Sequence, residues 1–208
     1  MIRVLLADDH TLVREGLKQL LSVAPGIAVA GEAADGDAAL ALVKANDYDI
    51  AVLDMSMPGL AGIDLIKRVK LEKPKLRVLV LSMHGEQQYA ARALKAGASG
   101  YLTKDSAAVQ LVSAIRKVAA GGVHISEAAA ALLLDGSASA DAPPHTRLSD
   151  REFEIFRALV AGESVSDIAN RLHLSAKTVS THKTRILQKM EMDSAAALVR
   201  YAVEKKLL

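Results

Sequence analysis

Five short apolar runs recur along the first hundred residues: 2–7 (IRVLLA), 27–34 (IAVAGEAA), 50–53 (IAVL), 77–82 (RVLVLS) and 99–103 (SGYLT). Short, β-branched runs of this kind read as strands, and near-continuous apolarity means burial on both faces of a sheet. Between them the apolar residues move to helical spacing. In 11–21, Leu12, Val13, Gly16, Leu17, Leu20 and Leu21 gather near one face, with Arg14, Glu15, Lys18 and Gln19 on the other. Helices are likewise expected at 37–46, 62–71, 86–96 and 106–120. Pro25-Gly26, Pro58-Gly59, Pro74, Gly97 and Gly121-Gly122 separate the elements. Five strands alternating with five helices predict an α/β doubly wound, five-stranded parallel sheet over residues 1–121.

The pattern then changes. Residues 127–134 read as a short Ala/Leu-rich helix, and 135–146 (DGSASADAPPHT) have the small, polar, Pro-containing composition of a linker. The expected connecting segment is 122–146. From 147 to 208 a small all-α unit of four helices is predicted. Ser149 caps its first helix, with Glu152 completing a capping box. Residues 164–174 give a short helix, and Ser175 caps a longer one, 176–190. A short helix, a tight turn and a capped helix form a helix-turn-helix pattern. A last helix covers about 194–206.

Composition narrows the classes. The 208 residues allow one or two domains, and the core must be aliphatic, since aromatics are 3%. A net charge of +2 announces no global field for nucleic acid, so such a partner must be read from a local patch. The absence of cysteine excludes disulfides, thiolate zinc sites and thiol catalysis. No signal-peptide pattern and no bilayer-length apolar run are present, so a cytoplasmic protein without membrane contact is expected.

The strand ends carry the chemistry. Asp8, Asp9, Asp54, Ser82 and Lys104 all fall at the carboxyl edge of the predicted sheet, where open α/β folds bind ligands. Singly, Asp54 could cap a turn and Lys104 could form an ordinary salt bridge. Together, three converging carboxylates need a positive partner. Hard oxygen ligands suit Mg²⁺, and a carboxylate can attack phosphorus to give an aspartyl phosphate. Mg²⁺ and the Lys104 ammonium would neutralise the transferred group, and the Ser82 hydroxyl could hydrogen-bond it.

Ala7-Asp8-Asp9-His10, Val52 to Gly59, Leu81-Ser82 and Gly100 to Asp105 resemble the receiver domain of bacterial two-component response regulators. Leu148 to Ile155, Ile168-Ala169, Leu174 to His182 and Lys189-Met190 look like a LuxR-type helix-turn-helix. The ordered combination resembles the NarL/FixJ subfamily over nearly the whole chain.

The resemblance implies that Asp54 accepts a phosphoryl group from a sensor histidine kinase. Asp9 and Asp54, with Asp8 through water and the Ser56 backbone carbonyl, would hold Mg²⁺. Ser82 and Tyr101 would be a switch pair: the hydroxyl moves toward the phosphate, and the ring turns inward. Lys104 would pair with the phosphoryl group. A homodimer would then bind double-stranded promoter DNA, its surfaces the first and fifth receiver helices and the last helix of the chain.

A basic helix is often only a solvated face. Here its place after a short helix and turn favours the major groove. Lys177 and Thr178 suit phosphate contact. Ser180, Thr181 and Thr184 lie on a face that could reach bases, Lys183 and Arg185 could contact either, and Val179 and Ile186 belong to the core.

Some residues depart from the family pattern. Asp105 stands where many receivers have Pro, Val165 and Ser166 replace the usual Asn and Lys, and Glu191 replaces a usual Gly. Two other readings stay open. One is a phosphorylation-independent regulator using the receiver as a dimerisation scaffold. The other is an aspartyl phosphatase, which would want a second acid where Ser56 stands and would leave the helix-turn-helix unexplained. The expected protein is a switch rather than an enzyme.

Overall fold

The computed structural model describes residues 1–83, 86–126, 130, 143–172, 174–205 and 207. The chain divides into two compact units, Met1–Asp135 and Gly136–Leu208.

The first unit runs β1 (Ile2–Ala7), α1 (Thr11–Ser22), β2 (Ile27–Ala33), α2 (Gly36–Ala45), β3 (Ile50–Asp54), α3 (Gly62–Glu72), β4 (Arg77–Ser82), α4 (Glu86–Lys95), β5 (Gly100–Thr103) and α5 (Lys104–Ala119). All strand pairs are parallel, in the order β2-β1-β3-β4-β5. The expected doubly wound sheet is what the chain forms.

Strand periodicity of two explains its two cores. Leu5, Ala7, Ala51, Leu53, Val78 and Val80 pack with residues of α2, α3 and α4. Their neighbours Val4, Leu6, Ile50, Val52, Leu79 and Leu81 pack on the other face with Leu17 and Leu21 of α1 and Leu111, Ile115 and Val118 of α5. Each fully buried Leu, Ile or Val contributes roughly 1.5–3 kcal/mol, which is why a core without Trp is sufficient.

One boundary differs from the sequence reading in a way that matters. Lys104 is the first residue of α5, not the end of a strand. Thr103 caps that helix, its hydroxyl accepting from the Ser106 amide at 3.4 Å. Asp105 lies in the first turn, where a carboxylate suits the helix dipole.

After α5 the chain returns to the open side of β5. Tyr101 N donates to His124 O at 2.8 Å and His124 N to Ser99 O at 3.1 Å, forming a parallel bridge between Gly100 and His124. The helix expected at 127–134 lies, except for Ala130, outside the described residues, as does linker segment 131–142.

Among the described residues the second unit opens with a 3₁₀ turn, Pro144–Arg147, whose first three residues fall in the stretch read as linker. Pro143 and Pro144 fix the backbone. His145 is buried: its Nδ1 is 2.5 Å from the Tyr201 hydroxyl, and its ring packs near Phe153. Composition identified a Pro-rich connector but gave no sign of this anchor. Helices α6 (Asp150–Val160), α7 (Val165–Arg171), α8 (Ala176–Met190) and α9 (Ala195–Glu204) follow. The capping box of Ser149 and Glu152 is formed. Leu148, Phe153, Phe156, Ile168, Val179, Ile186 and Leu198 make the small core.

Candidate functional site

The strand order reverses between β1 and β3, so the crevice at their carboxyl ends is the natural ligand position. Asp8 follows β1 and Asp54 ends β3, both on the α1/α5 side. Asp8 is fully buried and Asp54 is 1% exposed. Lys104 is delivered between them by the start of α5. Its Nζ lies 2.8 Å from Asp54 Oδ2, a hydrogen bond, and 2.7 Å from Asp8 Oδ2, an ion pair without hydrogen-bond alignment. The other Asp54 oxygen accepts from Ser56 N at 3.1 Å. Asp9, half-buried, completes the acidic set.

Burial is the main influence on Asp54 and pushes its carboxyl up, with Asp8 adding to it; Lys104 and the Ser56 amide oppose without prevailing. Burial also works against the Lys104 charge, but its pairing with Asp54 and Asp8 outweighs that and raises it. The carboxylate is therefore unusually basic for its type and faces a firmly held cation.

Ser82 and Tyr101 lie on the opposite side of the sheet. Ser82 ends β4, fully buried, two residues after Val80 and hence on the α3/α4 face. Tyr101 pairs in register with Val80 and is fully buried among the residues of that face. The ring is thus already inward.

Two residues escaped sequence reasoning. His10, the N-cap of α1, donates its backbone N–H to Asp8 Oδ1 at 2.8 Å, and its Nδ1 lies 2.8 Å from Asp9 Oδ1. Arg14, assigned to a solvent face, donates from Nη1 to Asp8 O at 2.6 Å. Only the position of His10 beside two acids could have signalled the first.

Asp8, Asp9, His10 and Asp54 each offer a ligand atom, all within 4.8 Å of one another. Asp8 Oδ2 and Asp9 Oδ1 are buried and accept no hydrogen bond. Asp8 Oδ2 faces the Lys104 ammonium and Asp9 Oδ1 the His10 ring nitrogen; carboxylate oxygens so placed fit a divalent ion with oxygen preference, and Mg²⁺ is such an ion.

On the second unit, α8 carries the predicted contact residues. Lys177, Ser180, Thr181, Thr184 and Arg185 are exposed, Thr178 and Lys183 are half-buried, and Val179 and Ile186 are in the core. Among the described residues no acid pairs with Lys177, Lys183 or Arg185. Lys189, the last basic residue of α8, turns to Glu152 at 2.6 Å. Thr181 and Thr184 donate their hydroxyls back to Lys177 O and Ser180 O, which leaves their oxygens as acceptors.

The comparisons agree with this architecture. Residues 4–116 match the response regulator receiver domain, and 146–202 match the luxR family of bacterial regulatory proteins. The chain belongs to the NarL/FixJ response regulators. It is 34% identical to the response regulator UvrY of Escherichia coli K12, over 98% of this chain and 94% of that protein. It is 37% identical to the probable transcriptional regulatory protein NarL of Mycobacterium tuberculosis H37Rv, over 100% and 96%. Among solved structures, RcsB of Salmonella typhimurium matches with a TM-score of 0.77 at 30% identity, covering 98% of this chain and 97% of that one. RcsB of Salmonella enterica serovar Typhimurium bound to promoter rprA, in the presence of the phosphomimetic BeF3-, matches with a TM-score of 0.71 at 29% identity, covering 96% and 97%. The family consists of two-component transcription regulators. Among the described residues no helix is long and apolar enough to cross a membrane.

Proposed function

We propose that this response regulator is switched by phosphorylation of Asp54 by a sensor histidine kinase, and that the switched form binds promoter DNA as a homodimer. The observation that carries the reading is the buried, basic Asp54 carboxylate held at the sheet edge between Lys104 and two further acids.

An Asp54 carboxylate oxygen would attack the phosphorus of a phosphohistidine. The new bond is P–O, the P–N bond breaks, and the imidazole leaves with its electron pair. Lys104, 2.8 Å from Asp54 Oδ2, is placed to follow the charge onto a phosphoryl oxygen. Asp8, Asp9 and Asp54 would hold Mg²⁺, together with the Ser56 carbonyl. When bound, Mg²⁺ supplies the charge that lets the acids and the phosphoryl oxygens share one site. The Ser82 hydroxyl, moving toward the phosphoryl group, would favour the inward Tyr101 ring and bias the α4–β5–α5 face.

Two features support a dimer. Leu12 of α1 is 90% exposed and Val109 of α5 is 86% exposed, on helices of the same sheet face; Val203 of α9 is 59% exposed. Apolar side chains this open are suited to a partner surface. For the DNA end, the unpaired cations of α8 supply phosphate contact, and the exposed Ser180, Thr181 and Thr184 supply the face toward base edges.

Light scattering with Mg²⁺ and beryllium fluoride, on the native chain and on Asp54→Ala, tests the reading. It expects a monomer-to-dimer shift that the variant lacks and, when a small phosphoryl donor replaces beryllium fluoride, phosphoryl transfer to the peptide containing Asp54. A dimer in every condition, unchanged by Asp54→Ala, would leave the receiver as a scaffold only.

A further inference from the structure

The site contains one group that Mg²⁺ does not need. His10 is an N-cap residue of a type that caps poorly, and its ring makes no cap hydrogen bond. Instead Nδ1 faces the acids, 2.8 Å from Asp9 Oδ1 and 3.5 Å from Asp8 Oδ1. The ring is 61% exposed, so an ion pair there contributes little to stability.

We propose that His10 is a nitrogen ligand of the acidic site, and that it gives the site affinity for first-row transition ions of the cobalt and zinc class. The inference rests on the reading of Asp8, Asp9 and Asp54 as the metal-holding acids. Trans ligands of a single small ion are separated by two bond lengths, about 4.2 Å at about 2.1 Å each. One atom from each of the four residues lies within 4.8 Å of every other, so small side-chain movements close the set around one ion. Two buried carboxylate oxygens of the set accept no hydrogen bond, Asp8 Oδ2 meeting only the Lys104 ammonium as an ion pair and Asp9 Oδ1 the His10 ring itself, and Asp8 is fully buried. The Asp8 backbone position is held by Arg14, and the His10 backbone by Asp8, so nitrogen and oxygens are presented together.

Ligand chemistry separates the ions. Mg²⁺ takes carboxylate, carbonyl and water oxygens and gains little from imidazole, whereas imidazole suits cobalt, nickel, copper and zinc. His10 therefore discriminates between ions at a site whose carboxylates serve all of them.

The test is calorimetric titration of the full chain with Mg²⁺, Co²⁺ and Zn²⁺, with the Co²⁺ absorption spectrum followed in parallel. Native protein is compared with His10→Ala and Asp9→Asn. His10→Ala should weaken Co²⁺ and Zn²⁺ by about tenfold or more, alter the Co²⁺ spectrum, and leave Mg²⁺ within about twofold. Asp9→Asn should weaken all three. If His10→Ala leaves Co²⁺ and Zn²⁺ unchanged, or weakens Mg²⁺ equally, His10 is not a discriminating ligand, although the acidic site stands. If Asp9→Asn leaves all three ions unchanged, the metal-holding reading of the acids itself fails.

Discussion

Lys104→Met removes an ammonium that serves two carboxylates at once. Nζ lies 2.7 Å from Asp8 Oδ2 and 2.8 Å from Asp54 Oδ2, and none of the three side chains is more than 7% exposed. Water screens these charges weakly. Removing one partner from a buried pair costs about 3–5 kcal/mol, because it strands the other charge. Here two charges are stranded side by side. The loss should fall in that range at neutral pH with divalent ions chelated, a large part of the 5–15 kcal/mol typical of a domain. Two additions supply the missing positive charge, Mg²⁺ and a proton.

Burial already raises the Asp54 carboxyl, and loss of Lys104 raises it further. A carboxyl raised above its unfolded value destabilises the fold when ionised. The deficit is therefore full above the folded pKa and shrinks as pH falls through it toward the unfolded value of about 3.9. A bulk melt of two units is not two-state, so hydrogen exchange of peptides covering 50–54 and 100–103 is the suitable assay. Lys70→Met is the control. Its ammonium binds the carbonyls of Pro74 and Leu76 at 2.6 and 2.9 Å, not carboxylates, so neither acid nor Mg²⁺ should restore it. A loss below about 1 kcal/mol, or equal rescue of both variants by Mg²⁺, would refute the reasoning.

Glu152 gives a prediction of opposite sign. Burial disfavours its charge, but Lys189 and the Ser149 amide outweigh that and hold the carboxyl below its ordinary value. Its stabilisation is present above the unfolded value near pH 4.3 and is lost as pH falls through the folded one. Glu152→Gln should cost about 1–2 kcal/mol at neutral pH and flatten that acid limb in hydrogen exchange of peptides covering 150–160. Glu191 sits in the left-handed region at φ 57, and Glu191→Gly removes a backbone cost of about 1 kcal/mol. The gain is reduced by chain entropy and by removal of the exposed Arg147 pair, so a rise of about 0.5 kcal/mol is expected; a fall in stability would show that the Arg147 pair matters more. Arg185→Ala and Lys183→Ala should weaken DNA binding across sequences. Each should also reduce the salt dependence by about one unit of slope for every phosphate it ceases to neutralise, measured by anisotropy.

The sheet was legible because buried parallel strands are nearly all apolar, so the polar residues ending them stand out. Asp54 is visible as the acid after Ile50–Leu53, and Asp8 as the acid after Ala7. Lys104 was placed correctly but assigned to the wrong element, since Thr103 reads equally well as a strand residue and as a helix cap. The role of His10 was hidden because an exposed N-cap histidine has no periodicity to betray it. The Lys189–Glu152 pair is invisible in the sequence because helical spacing shows which residues share a side, not which acid on another helix meets them. His145 was missed for a different reason: burial against Tyr201 is a contact across 56 positions, and linker composition masks it.

The pairing of β5 with His124 makes Tyr101 a shared part. Its ring lies in the core above α3 and α4, while its amide is bonded to the chain on its way out of the receiver. Gly100 permits this closeness, since a Cβ there would stand 3.0 Å from His124 O and 2.8 Å from Leu79 Cδ1. Linkage between two such equilibria is reciprocal. Whatever free energy the ring's rearrangement places on that backbone bridge, tension on the departing chain returns to the ring. Under the proposed switch, load on the departing chain would therefore bias phosphorylation of Asp54 through Tyr101, without touching an acid.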